Sequence, residues 1–190
     1  MRHLLLAGII ILSSFSASAV AENYTIDTKG SHAFIQFRIK HLGYSWLYGR
    51  FNKFDGGFKY DEKNPATSSV TVNIDPASVD TNHAERDKHI RNKDFLHVTK
   101  FPTAKFVSTS FEEKPGGQIL IKGNFTLHGV TKEIVITGNH IGHGKDPWGG
   151  YRRGFSGTTT FALKDFGINY NLGPASEEIE IILSIEGIRQ

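Results

Sequence analysis

Glu178-Ile179-Glu180-Ile181-Ile182-Leu183-Ser184-Ile185-Glu186, near the C-terminus, is the stretch that decides the fold. Ile179, Ile181, Leu183 and Ile185 share one face of an extended chain, while Glu178, Glu180, Ser184 and Glu186 share the other with Ile182. Successive side chains of a strand point to opposite faces, so this period of two reads as a β-strand with one apolar face and one mostly acidic face.

Working outward, the same period returns at Ala33, Ile35, Phe37 and Ile39, and again at Val70, Val72 and Ile74. Further strands are predicted at 105–112, at Ile119, Ile121, Gly123, Phe125 and Leu127, at Ile134 and Ile136, and at Phe155, Gly157, Thr159, Phe161 and Leu163. Between them stand Asp55-Gly56-Gly57, Asn64-Pro65, Pro115-Gly116-Gly117, His128-Gly129 and the 142–150 stretch, all with turn chemistry. About eight alternating strands with regular punctuation predict an all-β antiparallel sandwich or barrel. One short helix is expected near residues 83–94, with Asn82 as its cap, Glu85 completing a capping-box-like pattern and Asp87 facing Arg91 one turn on.

The chain begins Met1-Arg2-His3, runs through apolar or small residues to Leu12, and reaches Ala19-Val20-Ala21. A charged start, a short apolar run and an A-x-A end read as a secretory signal peptide cut after Ala21, because a bilayer span needs about 20 apolar residues. What remains, residues 22–190, has the length of one domain and is expected outside the inner membrane, in the periplasm, with no transmembrane segment. The sequence contains no Cys, so disulfides, thiol nucleophiles and thiolate metal sites are excluded. The formal charge of +3 falls to about +2 without Arg2 and forms no basic run, so nucleic acid is not an expected partner.

No G-x-S-x-G, H-E-x-x-H, Walker loop or G-x-G-x-x-G occurs. Asp27, Asp55 and Asp165 stand near strand ends or turns, where Asp commonly shapes backbone. His83 and His89, six apart on a helix, point about 120° away from each other, and His140 and His143 have no carboxylate near them in sequence. No catalytic residue, metal or cofactor is expected. The aromatic stretch from His41 to Phe54, with Tyr44, Trp46, Tyr48 and Phe51, reads equally as core or as pocket lining. Asp146-Pro147-Trp148 followed by Arg152 and Arg153 sets a Trp beside two cations, either at a barrel mouth or in a solvated loop.

Several blocks resemble the YceI-like family of bacterial periplasmic proteins, which are lipocalin-like and bind polyisoprenoids. They are His41-Leu42-Gly43-Tyr44-Ser45-Trp46-Leu47-Tyr48-Gly49, residues 78–89, Gly129-Val130-Thr131-Lys132, Asp146-Pro147-Trp148-Gly149-Gly150 and Leu172-Gly173-Pro174-Ala175-Ser176. The resemblance implies an eight-stranded antiparallel barrel with a helix after the fourth or fifth strand, an elongated apolar interior, a frequent homodimer and an isoprenoid chain such as a quinone tail as ligand. It supplies no catalytic residues. An eight-stranded barrel can hold one small ligand, and strands of about ten residues give a tunnel near 30 Å long.

The expectation is therefore a periplasmic binding or carrier protein for an apolar small molecule, a lipid of isoprenoid type. Phe37, Phe106, Phe125 and Phe155 would line its tunnel, with Tyr44, Trp46 and Phe51 near one end and His41, Asn82 and Arg152 at the headgroup. Two alternatives stay open. One is a metal-assisted or acid–base enzyme on a lipid headgroup using His83, His89 or His97 with Asp80 or Asp87, and the other is a stress-related interaction module.

Overall fold

The computed structural model describes residues 21–190, and the expected signal peptide, apart from Ala21, lies outside them. The strands are β1 (Glu22–Ile26), β2 (Phe34–His41), β3 (Ser45–Phe51), β4 (Phe54–Tyr60), β5 (Ser69–Ile74), β6 (Val79–Asp80), β7 (Ala104–Glu113), β8 (Gln118–Leu127), β9 (Val130–Lys145), β10 (Tyr151–Ala162) and β11 (Glu178–Arg189). The helix, α1, runs Ala84–Arg91. β1, β4, β5, β7, β8, β9, β10 and β11 pair in that order, and β11 pairs back onto β1, closing an eight-stranded antiparallel barrel.

The extra strands continue barrel strands past breaks. β11 is long enough to serve two partners: Ile179 to Ser184 pair with β2, and Gly187 to Arg189 pair with β1. β1 and β2 are thus two halves of one staggered strand, interrupted where Asp27 N donates to Glu186 O and Asp27 Oδ1 accepts from Gly30 N. β3 pairs with β2 and with β6, while β4 pairs with β1 and β5, so β3–β4 and β5–β6 are broken at the same level. Those two breaks are laced together, with Asn52 N donating to Ser78 O and Asp75 N to Lys53 O. Pro76, which has no N–H to give a ladder, stands in the second of them.

Alternation fails where the ladder bulges, and each bulge changes which residues face inward. In β7 the register against β8 slips between Ser108 and Ser110, so Phe106 and Phe111 both face inward although five residues apart. The slip at Gly154/Phe155 puts an extra residue, Ile141, on β9, where it is exposed, and sets His140 and His143 opposite Phe155 and Arg153 of β10.

Several sequence expectations are corrected here. Asp55-Gly56-Gly57 is not a turn but the middle of β4, where Gly56 at φ 151° lets the Thr71 carbonyl approach to 2.2 Å of where a Cβ would stand. Of the 142–150 stretch only Asp146 to Gly150 turns, with Asp146 Oδ1 accepting from Trp148 N and Gly150 N, and β9 runs on to Lys145. The helix is shorter than 83–94 and follows β6, the end of the third barrel strand, rather than the fourth or fifth. Its cap is His83, whose ring accepts from Arg86 N, whereas Asn82 sits at φ 60° in the preceding turn. Asp87 and Arg91 make no pair. Asp87 accepts from the Thr81 N–H and hydroxyl, and Arg91 donates to Val79 O.

Just past α1, Phe95 and Leu96 are buried against the core, and Phe166, fully buried, lies in the segment between β10 and β11. These residues cover one end of the barrel, the helix end. The other end is formed by the β7–β8 and β9–β10 hairpins. No described helix is long and apolar enough to cross a membrane.

Candidate ligand site

Inside the barrel lies a cavity of about 120 Å³ lined almost wholly by apolar side chains, among them Val72, Phe106, Ile121, Phe125, Phe155 and Leu183. That is below the roughly 300–1,000 Å³ of pockets that hold compact drug-sized ligands, so the free space between the side chains is slight. Room is made by laying rings flat on glycines across the wall. A Cβ on Gly123 would fall 2.4 Å from Phe106 Cζ, one on Gly187 2.4 Å from Phe58 Cε1, and one on Gly49 2.2 Å from Phe37 Cζ.

Below the cavity Tyr60, Phe111 and Phe155 form an aromatic floor, with Tyr60 and Phe111 at 6.1 Å and Tyr60 and Phe155 at 5.8 Å between ring centroids. Beneath it is a charge cluster centred on Arg153, a guanidinium only 1% exposed. Its Nε donates to Tyr24 Oη at 3.3 Å, Nη1 approaches His140 Nε2 at 3.1 Å, Nη2 donates to Glu62, and the cation stands 4.1 Å over the Tyr60 ring. Tyr60 donates to Glu113 at 2.5 Å, and His140 Nδ1 stands 3.4 Å from the same carboxylate. A buried guanidinium is tolerated only when paired and hydrogen-bonded, and every face of this one is engaged. Burial, reinforced by the Arg153 charge, holds His140 below the ordinary imidazole pKa, and burial pushes Tyr60 up. The cluster seals this end of the barrel.

At the helix end a groove of about 500 Å³ opens between the β2–β3 turn and residues 171–176, lined by Ile39, His41, Leu42, Leu47, Asn171 and Leu172. Ser176 Oγ donates to Lys40 O at 2.6 Å and fixes its far wall.

The residues expected to form the site therefore divide. Phe51, Phe106, Phe125 and Phe155 line the cavity. Phe37 is buried between cavity and groove and lines neither. His41 lines the groove.

Tyr44 and Trp46 are on the outside, Tyr44 88% exposed and Trp46 beneath the Arg38 guanidinium at 4.3 Å, because Trp46 stands opposite the outward Lys40. Asn82 is exposed in its tight turn, its N–H held by Asp80. Arg152 also faces out, where Asp27 and Asp146 take it at 2.7 Å and Glu186 at 2.5 Å, leaving no charge for a headgroup. The inward cation is its neighbour Arg153, and the carboxylates beside His140 and His143 are Glu113, from β7, and Glu62, from the bend after β4.

Asp27, His32 and Glu186 bring ligand atoms within 4.8 Å of one another, and among the described residues they are the only such group of three. Arg152 Nη1 already bonds to both carboxylates there. His83, His89, His97, Asp80 and Asp87, the set required by the metal-enzyme alternative, form no such cluster.

Comparison with known proteins places this geometry. The YceI-like domain matches residues 24–187, nearly all of the described barrel. The chain belongs to the YceI-like domain family. Relatives of this YceI-like chain include a UPF0312 protein of Pseudomonas aeruginosa, 61% identical over 175 residues that cover 92% of this chain and 91% of the relative. A UPF0312 protein of Shewanella sp. is 54% identical, with all of both chains covered.

Among solved structures, the YceI protein of Campylobacter jejuni superposes with a TM-score of 0.71 at 26% identity, covering 80% of this chain and 90% of that one. A polyisoprenoid-binding domain from Saccharophagus degradans shares the fold of the YceI-like chain at a TM-score of 0.64 and 14% identity, covering 88% and 98%.

Proposed function

We propose that this protein, once exported through its leader to the periplasm, binds or carries the tail of an isoprenoid-type lipid, such as a quinone or polyprenyl tail, in the barrel interior and catalyses no reaction. The observation that carries the reading is the narrow, almost wholly apolar cavity, floored by aromatic rings and closed beneath by the Arg153 cluster. Such a space rewards a methyl-branched hydrocarbon with roughly 0.8 kcal/mol per buried CH₂ and offers a polar head nothing. The fold shared with a polyisoprenoid-binding domain supports the ligand class. The leader Met1–Ala21 supports export.

The test is organic extraction of the mature protein purified from its own cells, followed by mass spectrometry. An isoprenoid lipid in near-stoichiometric amount is the expected result. Recovery of no lipid, or of straight-chain acyl lipids alone, overturns the reading.

A further inference from the structure

Phe37 holds a singular place among the inward residues of β2. Its neighbour Ile35 lines the interior cavity, as does Phe51 on β3, while Ile39 and His41 line the helix-end groove, as does Leu47 on β3. Phe37 and its cross-strand partner Gly49 stand at the level between the two spaces and line neither. With no side chain at 49, the Phe37 ring lies across β3 and packs against Phe51 at 5.7 Å between centroids. Cavity and groove thus follow one another along the same two strands, with one aromatic ring at the boundary.

The two spaces differ in chemistry. The cavity is narrow and apolar, whereas the groove has about four times its volume and carries polar groups. His41 continues the inward series 35, 37, 39 and brings its ring to the groove. Asn171, also on the groove wall, accepts from Gly173 N at 2.8 Å through its carbonyl oxygen, which leaves its NH₂ group as the donor not used in that turn. These are hydrogen-bond donors set among Ile39, Leu42, Leu47 and Leu172. At the opposite end of the barrel the Arg153 guanidinium is taken up by Tyr24, His140 and Glu62.

We propose that the groove beside His41 and Asn171 is the headgroup compartment of the lipid site, built for a head that bears hydrogen-bond acceptors, and that Phe37 is the partition the tail must pass to reach the cavity. This rests on the lipid-binding reading and adds where the head sits and which residues choose it. Quinone carbonyls and phosphate oxygens share the required chemistry, and the test separates them.

Binding of three probes is measured by displacement of a fluorescent fatty acid: farnesyl phosphate, a short-tailed ubiquinone, and squalene, an isoprenoid hydrocarbon with no head. The variants are His41→Leu, an exposed position that leaves the core intact, and Leu47→Trp, which fills the groove. His41→Leu is expected to weaken a headed probe about tenfold, the loss of one hydrogen bond, and to leave squalene unchanged. Leu47→Trp is expected to reduce the same headed probe further while squalene still binds. The probe that responds, phosphate or quinone, identifies the head. Phe37→Ala, which joins the two spaces, is expected to speed association of all three, and Phe37→Trp to slow it.

Equal loss of all three probes in His41→Leu or Leu47→Trp, or no loss in either, overturns the headgroup compartment. Unchanged association rates in both Phe37 variants overturn the partition. If wild-type protein binds none of the three, the lipid-binding reading itself fails.

Discussion

The ring of Phe106 lies over the α-carbon of Gly123, on the neighbouring strand, so closely that a methyl group added at 123 would fall 2.4 Å from Phe106 Cζ and 2.7 Å from Val107 O. A glycine inside a strand ordinarily weakens it. Here it lets a large ring occupy the wall rather than the lumen. Gly123→Val is therefore expected to destabilise the barrel by about 1–3 kcal/mol through overpacking. It should also push the ring into the cavity and lower the lipid recovered on extraction. A urea midpoint equal to wild type would mean that the contact is loose.

Glu62 and Arg153 form an ion pair with unequal ends, the carboxylate 55% exposed and the guanidinium 1%. Deleting the exposed partner leaves a buried cation without its main counter-charge, whereas deleting the buried one leaves a carboxylate that water can solvate. Glu62→Ala is accordingly expected to cost about 3 kcal/mol and Arg153→Met distinctly less. Chemical denaturation of the two variants side by side checks the order, and the reverse order refutes the account of the cluster.

His140 is faced by Glu113 from β7, Tyr60 from β4, Arg153 from β10 and His143 from its own strand. Burial, and then the Arg153 charge, lower its pKa from the ordinary 6.5, so the folded protein favours the neutral ring. A base with a lowered folded-state pKa gives stability that is complete above its unfolded value and is lost as pH falls through the folded one. The melting temperature is expected to decline as pH drops below 6.5, and His140→Gln to flatten that decline. Identical pH profiles for the two proteins would count against it.

Asp27 has the same sign from a different cause. The His32 ring and, after it, the Arg152 guanidinium and the Gly30 N–H hold its carboxyl down to about 2 from the ordinary 3.8, against the opposing effect of burial. Its contribution is whole above pH 3.8 and disappears toward pH 2. Asp27→Asn should erase that acid-side step. Because Asp27 also shapes the break between β1 and β2, far-UV circular dichroism at neutral pH must first show the variant folded.

Much of the barrel was legible because its physics is local. The alternation of 178–186 was read directly, and the register of β11 against both β2 and β10 follows its apolar face. Gly123 already stood on the apolar face of its strand in sequence, although the ring that covers it comes from another strand. What stayed hidden depended on parity or on distant partners. Arg153 continues the inward series 155, 157, 159 and 161 of β10, but the residues that meet it depend on the bulge at Ile141 of β9, which sets His140 and His143 opposite Phe155 and Arg153, and nothing in the sequence announces that bulge. Trp46 and Tyr44 looked like pocket lining, but their position opposite Lys40 puts them outside. Asn82 resembled a cap until the backbone gave that role to His83. The three broken strands were invisible because each break is fixed by the partner across it.

Closure of the barrel by β1 on β11 also orders events in time. Tyr24 pairs with Arg189, from opposite ends of the chain, whereas β7 to β11 form an unbroken antiparallel meander of sequential neighbours. Pairings between distant segments are slow because the intervening chain must first be brought together. A nascent chain lacking its last twelve residues has no strand against which β1 and β2 can both dock. The ring therefore cannot shut until its last strand has been made. Pulse-labelled hydrogen exchange during refolding should find β8 and β9 protected before β1, and simultaneous protection would contradict that sequence of steps.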